Sequence, residues 1–208
     1  ASSVDVPDIV AECVQHGAAG LAFYLSQTVP LSSLAFRRTL AESIKPGLPL
    51  IAVDIRQPGV ATTVAELTAG ASCQLVLLGP HYVNFDELLA VLDEYPHVYL
   101  DTSWQITPGC IELMVEHAGP DRILFGSGAA LRPIQSALNM VLDADLDDTT
   151  KRKILAVNAL RLFGKLAEAD RVESSSDPLP EMRAPETPAI DIHGHLGVSP
   201  KLPMSIRD

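Results

Sequence analysis

The chain is poor in basic residues and has no long apolar run. Its 208 residues include 15 Lys and Arg against 26 Asp and Glu, which gives a formal net charge of −11. Nucleic acids and anionic membrane surfaces are both bound through clustered Lys and Arg, so we expect neither as a partner. No apolar run approaches the roughly 20 residues that cross a bilayer, and the first residues do not resemble a signal peptide. We therefore expect a cytoplasmic protein.

Cysteine spacing and nucleotide-binding motifs are also lacking. Cys13, Cys73 and Cys110 lie far apart and form no C-x-x-C pair, which argues against a disulfide framework and against a cysteine metal site. No G-x-G-x-x-G motif follows the first predicted strand, and no Walker loop occurs. The composition, 47% hydrophobic and 20% charged, is nevertheless that of a globular protein with one sizeable core.

Apolar strands and helices alternate through the first 164 residues. We predict strands at 20–25, 48–54, 74–78, 97–103 and 122–127, and helices at 9–16, 34–44, 60–69, 86–94, 111–118, 133–142 and 147–163. Strands that are near-continuous apolar runs, each followed by a helix, require a parallel sheet covered by helices. Since no nucleotide-binding motif is found, we favour an α/β barrel over a doubly wound sheet.

The character of the chain changes after Gly164. Residues 165–187 are rich in Pro, Ser and Glu and lack apolar periodicity, which predicts a polar linker. Residues 188–208 follow as a third part and contain one more apolar strand, at 189–197. We therefore divide the chain into a barrel segment (1–164), a linker (165–187) and a terminal strand with a tail (188–208).

The strand at 189–197 gives the strongest indication of a metal site. Because side chains alternate across a strand, Asp191, His193 and His195 point to one face, and the apolar residues between them point to the other. Two imidazoles on one face suit a divalent metal. Histidine combined with carboxylate fits zinc, manganese and iron alike, and zinc is our first choice. We predict His193 and His195 as metal ligands.

Three segments, in order, resemble the amidohydrolase-related branch of the amidohydrolase superfamily. They are Tyr95-Pro96-His97-Val98-Tyr99-Leu100-Asp101-Thr102-Ser103, Gly119-Pro120-Asp121-Arg122-Ile123-Leu124-Phe125-Gly126-Ser127 and Ile154-Leu155-Ala156-Val157-Asn158-Ala159-Leu160-Arg161-Leu162-Phe163. This branch contains metal-dependent hydrolases and decarboxylases of the aminocarboxymuconate-semialdehyde type.

The resemblance implies a (β/α)8 barrel with its active site at the carboxyl ends of the strands, and residues 1–164 would form the later half of that barrel. It also implies a metal-activated water that attacks a small carboxylated or amide-like substrate. Hydrolysis and non-oxidative decarboxylation both remain open.

The chain departs from the family pattern at several site positions. The aspartate expected on the eighth strand is replaced by Gly128, and the histidine expected on the fifth falls near Val53 or Asp54. The sixth strand offers no histidine at its end, although His81 is close by. Asp54 and Asp101, at predicted strand ends, are the candidates for a catalytic base, and Asp54 can also act as an oxygen ligand.

The H-x-H strand comes first in the family pattern and last in this chain. Residues 1–164 can finish one degenerate barrel while residues 188–208 begin a second one in tandem. Alternatively, a circular permutation carries the strand back to pair beside the strand at 122–127. Because an incomplete barrel exposes strand edges, we expect a homodimer. The alternative to an enzyme is a catalytically silent scaffold for dimerisation or ligand binding, which Gly128 favours.

Overall fold

Strands and helices alternate in the described part of the chain. The structure, a computed structural model, describes residues 6–25, 30–129, 131, 133–164, 166–175 and 177–179. The strands are β1 (Leu21–Tyr24), β2 (Leu50–Val53), β3 (Leu75–Leu78), β4 (Val98–Asp101) and β5 (Ile123–Leu124).

The helices follow the strands in the order that the sequence predicts. They are α1 (Val6–Gln15), α2 (Leu34–Ile44), α3 (Val60–Thr68), α4 (Phe85–Glu94), α5 (Cys110–Ala118), α6 (Ile134–Leu142), α7 (Asp148–Arg152), α8 (Asn158–Leu162) and α9 (Leu166–Glu173). Short 3-10 turns occur at Tyr82–Asn84 and Pro120–Arg122, and a π-helical segment at Lys153–Val157. In these residue ranges, no helix has the length and apolarity needed to cross a membrane.

The five strands form one parallel sheet in chain order, β1-β2-β3-β4-β5. Leu21 pairs with Leu50, which pairs with Leu75, which in turn pairs with Val98. A doubly wound sheet reverses its strand order at one point, whereas the strands of a barrel follow one another around the axis. The sheet is therefore an arc of a (β/α)8-type barrel, which confirms the predicted fold class.

The two faces of the arc differ in burial. The outer face, with Leu50, Leu75 and Leu100 among its residues, is completely buried beneath the helices and forms the core with them. On the inner face, Tyr24 is 77% exposed and its registered neighbours Val53 and Leu78 are half-buried. Within the described residues, the face that would line a closed barrel is therefore partly open.

Helix α3 receives its N-terminal cap from helix α4. Gly59, the N-cap residue, has no side chain to offer, and the Glu87 carboxylate takes over this function. It accepts hydrogen bonds from the Gly59 N–H (2.8 Å), the Thr62 N–H (3.1 Å) and the Thr62 hydroxyl (2.9 Å). A carboxylate here satisfies N–H groups that have no partner within the helix and complements the helix dipole. The contact also joins α3 to α4.

The half-buried Arg122 guanidinium holds β4 and β5 beside their helices. It donates hydrogen bonds to the carbonyl oxygens of Leu92 (2.9 Å), Tyr95 (3.2 Å), Val98 (3.1 Å) and Ala118 (3.0 Å). These acceptors belong to the ends of α4 and α5 and to the start of β4. One side chain thus satisfies carbonyl groups left open at two helix C-termini.

Strand β5 is shorter than the predicted strand at 122–127 because the chain leaves the ladder after Leu124. The Phe125 N–H donates to the Ile154 carbonyl (2.9 Å), and the Gly126 N–H donates to the Thr102 hydroxyl (3.0 Å). The next backbone donors are therefore bonded to a helical segment and to a side chain. This arrangement lets the chain turn away from the sheet.

The predicted helix at 147–163 is present but interrupted. Asp147 is its N-cap, as predicted, and accepts a hydrogen bond from the Thr150 N–H at 3.0 Å. The Asn158 N–H bonds to the Lys153 carbonyl, five residues back, which widens the helix locally. The Asn158 amide donates to the carbonyls of Pro120 (2.7 Å) and Ile123 (2.8 Å) and thereby fixes this segment against β5.

The segment predicted as a linker, 165–187, begins instead with helix α9. Ala169 on this helix is fully buried. Two of the acidic residues that suggested a linker form ion pairs: Arg161 contacts Asp170 (3.4 Å) and Glu173. Charge that indicated a solvated segment is thus partly neutralised by contacts to α8. The predicted strand at 189–197, with His193 and His195, lies outside the described residues.

Candidate functional site

A cavity of about 620 Å³ lies at the carboxyl ends of the strands. Each strand contributes to its wall: Tyr24 ends β1, Val53 ends β2, Leu78 ends β3, Asp101 ends β4, and the turn at Gly126, Ser127 and Gly128 follows β5. Parallel α/β sheets bind their ligands at this edge, because loops from neighbouring strands converge there. The cavity is therefore the candidate active site.

Asp101 is the buried acid of this cavity. The residue is only 2% exposed, and its two carboxylate oxygens accept hydrogen bonds from the backbone N–H groups of Gly79 (2.9 Å) and Ser103 (3.3 Å). Burial disfavours the charged form and raises the pKa of Asp101 to about 7, although the bonds from Ser103 and Gly79 act in the opposite direction. Near neutral pH the carboxyl group is therefore populated in both protonation states and can give or take a proton.

Gly126 makes room for that carboxyl group. A Cβ atom at position 126 would lie 2.0 Å from the Asp101 Oδ2 and 3.0 Å from the Ser103 Cβ. The Gly126 N–H is bonded to the Thr102 hydroxyl, and the Thr102 N–H is bonded to the Leu124 carbonyl at 2.9 Å. The backbone of this turn is thus held against β4, and a side chain larger than that of glycine would displace Asp101.

Asp54, the other predicted catalytic carboxylate, also lines the cavity and faces a cation. Its backbone is left-handed, with a φ of 69°, a conformation that aspartate tolerates better than most residues. Its Oδ1 accepts a hydrogen bond from the Arg56 Nε at 2.6 Å. The side chains of Asp54 and Arg56 are 42% and 61% exposed, so the pair lies at the mouth of the cavity and not at its base.

His81 does not line the cavity. Its Nδ1 accepts a 3.4 Å hydrogen bond from the Val83 N–H, and its ring lies against Tyr82 with centroids 4.3 Å apart. Burial and the charge of Arg56 lower the pKa of His81. The remaining histidines of the described residues have hydrogen-bond partners outside the cavity: His16 with Glu12, His97 with Thr68, and His117 with Asp93.

The described residues do not by themselves fit a metal ion. Within this part of the chain, no group of three or more His, Cys, Asp or Glu side chains is close enough to share one. Gly128, with a φ of 66°, offers no ligand, and Asp54 is paired with Arg56. Two imidazoles from His193 and His195 would leave a tetrahedral ion without its remaining protein ligands.

The sequence analysis missed three residues of this site. Arg56, Trp104 and Gly126 all line the cavity. Arg56 and Trp104 each follow the end of a predicted strand by one or two residues, and Gly126 lies near the end of the predicted strand at 122–127. Strand ends and the loops after them are where barrels carry function. That position was the available signal, but their roles depend on partners that are distant in the sequence.

Solved structures share this fold. The chain is similar to a 2,6-dihydroxybenzoate decarboxylase complexed with 2,6-dihydroxybenzoate, with 17% identity, coverage of 76% of this chain and 66% of that chain, and a TM-score of 0.60. A dihydroxybenzoic acid decarboxylase from Polaromonas sp. JS666, with bound manganese and the inhibitor 2-nitroresorcinol, has 14% identity, coverage of 76% and 64%, and a TM-score of 0.61. The chain spans less than two thirds of the length of both.

The chain is also similar in fold to a structure described as a putative hydrolase. A putative 2-pyrone-4,6-dicarboxylic acid hydrolase from Pseudomonas putida has 19% identity, coverage of 77% of this chain and 68% of that chain, and a TM-score of 0.57. At such identities these likenesses concern the fold alone.

Sequence comparison identifies the family. No curated protein sequence matches the chain. The family model described as amidohydrolase matches residues 59–165, just over half of the 208 residues. The matched range begins at the N-cap of α3 and extends past α8, so it includes Gly79, Asp101 and Gly126. The chain therefore belongs to the amidohydrolase family, as its parallel barrel arc and the three resembling segments indicate.

Proposed function

We propose that this protein acts on a small carboxylated or amide-type substrate, as a hydrolase or a non-oxidative decarboxylase, and that Asp101 transfers the proton. The observation that carries the proposal is a buried carboxyl group with a pKa of about 7 in the wall of a large cavity. Hydrolysis requires a proton for the leaving group, and decarboxylation requires one for the carbon that loses carbon dioxide. The decarboxylases and the hydrolase of similar fold support this reaction class.

The surroundings of Asp101 suit proton transfer in both directions. Asp101 is only 2% exposed, and this burial favours the neutral acid. After the proton has left, the N–H groups of Gly79 and Ser103 already contact the two oxygens of the anion. The acid can therefore release and regain its proton without a rearrangement of the backbone.

The experiment measures turnover of 2,6-dihydroxybenzoate and 2-pyrone-4,6-dicarboxylate, with divalent metal supplied. We expect conversion of at least one compound, with a pH profile that has an apparent pKa of about 7. Asp101→Asn should lower the rate by about 100-fold or more, because it removes a proton-transfer group. Asp86→Asn, on helix α4, is the control and should leave the rate unchanged. Equal rates in Asp101→Asn and the unmutated chain would contradict the role of Asp101.

A divalent metal is part of the proposal, with His193 and His195 as its ligands. The manganese of the Polaromonas decarboxylase supports a metal, and we propose zinc first, with manganese and iron as alternatives. Metal content should be measured by inductively coupled plasma analysis after dialysis. We expect the double variant His193→Ala plus His195→Ala to lose its metal and the control variant His81→Ala to keep it.

The metal content also separates the enzyme from the scaffold. Absence of metal from the unmutated chain contradicts the metal proposal for this polypeptide. A second measurement, the intact mass of the native product, tests the arrangement of the terminal strand: a mass well above 22.2 kDa supports the tandem arrangement over the permuted barrel.

The second candidate function is a ligand-binding or dimerisation scaffold without catalysis. It is favoured by Gly128 at the position expected for an aspartate, and by the lack of a three-ligand group in the described part of the chain. Ligand binding in the cavity without turnover of either compound would support it. For both candidates we propose a homodimer in the cytoplasm, where the three free thiols would stay reduced.

A further inference from the structure

The charges around the cavity are unevenly distributed. Among the described residues that line it, Arg56 is the cation, and Asp54 and Asp101 are the acids. The chain as a whole carries a net charge of −11, so its overall field repels anions. An arginine at the mouth of the cavity is therefore a local exception, and a ligand with a negative group would contact it on entry.

Within the described residues, the Arg56 guanidinium uses its Nε as a hydrogen-bond donor and leaves its terminal nitrogens available. Asp54 engages its Nε at 2.6 Å, and in the described part of the chain neither of its terminal nitrogens donates a hydrogen bond. The planar guanidinium presents its N–H donors as a fork that matches the two oxygens of a carboxylate. Because Asp54 holds one side of the group, the terminal nitrogens are kept in a restricted orientation.

The backbone supports this orientation. Asp54 adopts a left-handed φ of 69° directly after β2, and Arg56 follows two residues later. Uncommon backbone conformations of this kind persist where the surrounding structure fixes them, and they are frequent at binding sites. The turn thus places an ion pair at the end of a strand whose last residue, Val53, also lines the cavity.

The rest of the cavity wall is suited to an apolar body. Tyr24, Leu78, Trp104 and Leu131 line it together with Val53. We propose that Arg56 is the anion-recognising residue of the cavity and that it selects small carboxylates with an apolar or aromatic body. The inference rests on the proposed function only in taking this cavity as the substrate site, and it adds the residue that determines specificity.

The test uses benzoate as the probe and neutral benzamide as its matched isostere. Trp104 is the only tryptophan of the chain and lines the cavity, so its fluorescence reports binding without a label. We expect benzoate to change this fluorescence saturably and to bind about tenfold more tightly than benzamide, because a charge-assisted bidentate contact is lost in the amide. Added salt should weaken the binding of benzoate and leave the binding of benzamide unchanged.

The variants isolate Arg56. Arg56→Gln should weaken benzoate binding about tenfold and leave benzamide binding unchanged. Arg56→Lys keeps the positive charge but not the fork of N–H donors. Its affinity for benzoate should therefore lie between that of the unmutated chain and that of Arg56→Gln. Arg38→Gln, exposed on helix α2, is the control and should bind benzoate like the unmutated chain. Because the Arg56 side chain is 61% exposed, the thermal unfolding of Arg56→Gln should be unchanged, which excludes a folding defect.

The outcomes distinguish this inference from the proposed function. Equal binding of benzoate and benzamide, or unweakened benzoate binding by Arg56→Gln, overturns the role of Arg56 even if turnover depends on Asp101. Arg56-dependent benzoate binding without any turnover supports the inference and contradicts the proposed reaction.

Discussion

Asp101 is a carboxylic acid in a buried site that disfavours its charged form, so it makes the stability of the fold depend on pH. In the unfolded chain its pKa is near the ordinary 3.8, whereas in the folded chain burial raises the pKa to about 7. A carboxyl group with a raised pKa stabilises the folded state below about pH 4, and this contribution is lost as the pH rises to about 7.

We therefore predict that Asp101→Asn removes part of the pH dependence of unfolding. The unmutated chain should lose on the order of 4 kcal/mol of unfolding free energy from this group between about pH 4 and pH 7. The asparagine variant should not lose this contribution. Urea denaturation of both chains across this pH range measures it, since the other titrating groups cancel in the difference. Parallel curves for the two chains would contradict the raised pKa.

A second prediction concerns the space at Gly126. Gly126→Ala places a methyl group 2.0 Å from the Asp101 Oδ2, so the carboxyl group or the turn has to move. We expect a loss of about 1–3 kcal/mol in unfolding free energy, as for other overpacked buried sites. Ser127→Ala, one residue along the same turn, is the control; it removes only the hydrogen bond that the Ser127 hydroxyl accepts from the Ala129 N–H (3.2 Å) and should cost about 0.5–1 kcal/mol. Denaturation midpoints measure both, and equal midpoints would contradict the steric argument.

At the residue scale, the sequence predicts Asp101 but not its surroundings. The end of a buried strand is a position where a barrel carries function, and this was enough to select Asp54 and Asp101. Burial raises the pKa of Asp101, and the contacts that surround its carboxyl group include Gly79 and Gly126, which lie more than 20 residues before and after it. Such contacts leave no local pattern, and the ion pair of Asp54 with Arg56 depends equally on a backbone turn that composition does not reveal.

At the element scale, the N-terminus of α3 depends on a side chain from α4. Glu87→Ala leaves the N–H groups of Gly59 and Thr62 without their carboxylate partner. We expect a loss of about 1–2 kcal/mol in unfolding free energy, as for other lost helix caps. Glu116→Ala, at an exposed position of α5, makes the same side-chain change without removing a cap and should be nearly neutral. If both variants unfold at the same urea concentration, the cap contributes nothing.

The positions of strands and helices follow closely from apolar periodicity, whereas three boundaries do not. Strand β5 ends early because the N–H groups that follow it are bonded elsewhere. The Phe125 N–H donates to the Ile154 carbonyl, and the Gly126 N–H donates to the Thr102 hydroxyl. The last predicted long helix widens where Asn158 bonds to the carbonyls of Pro120 and Ile123. Helix α9 forms within the predicted linker, where Ala169 is buried and Arg161 forms ion pairs with Asp170 and Glu173. In each case a contact between distant residues outweighs local composition.

At the scale of the whole molecule, the open inner face of the arc predicts self-association. Tyr24 is 77% exposed on this face, and β1 forms an edge of the sheet. Edges and apolar faces of this kind are stabilised by a second chain. Light scattering should therefore give about twice the chain mass of 22.2 kDa.

Charge variants test which surface is used. Tyr24→Lys should shift the protein towards the monomer, because it places a charge on the inner face. Leu34→Lys, 63% exposed at the start of α2, should have no effect. A monomeric unmutated chain, or a dimer that Tyr24→Lys does not weaken, would contradict association through this face.

The order of the strands also determines how the sheet can assemble. Leu21 pairs with Leu50, and Leu100 pairs with Ile123, so every strand contacts a neighbour fewer than about 30 residues away along the chain. Loop closure over such short distances costs little entropy, and folding rates rise as contacting residues lie nearer in sequence. Each strand–helix unit can therefore dock as soon as the preceding one has formed, which suits a polypeptide that acquires its structure progressively while it leaves the ribosome.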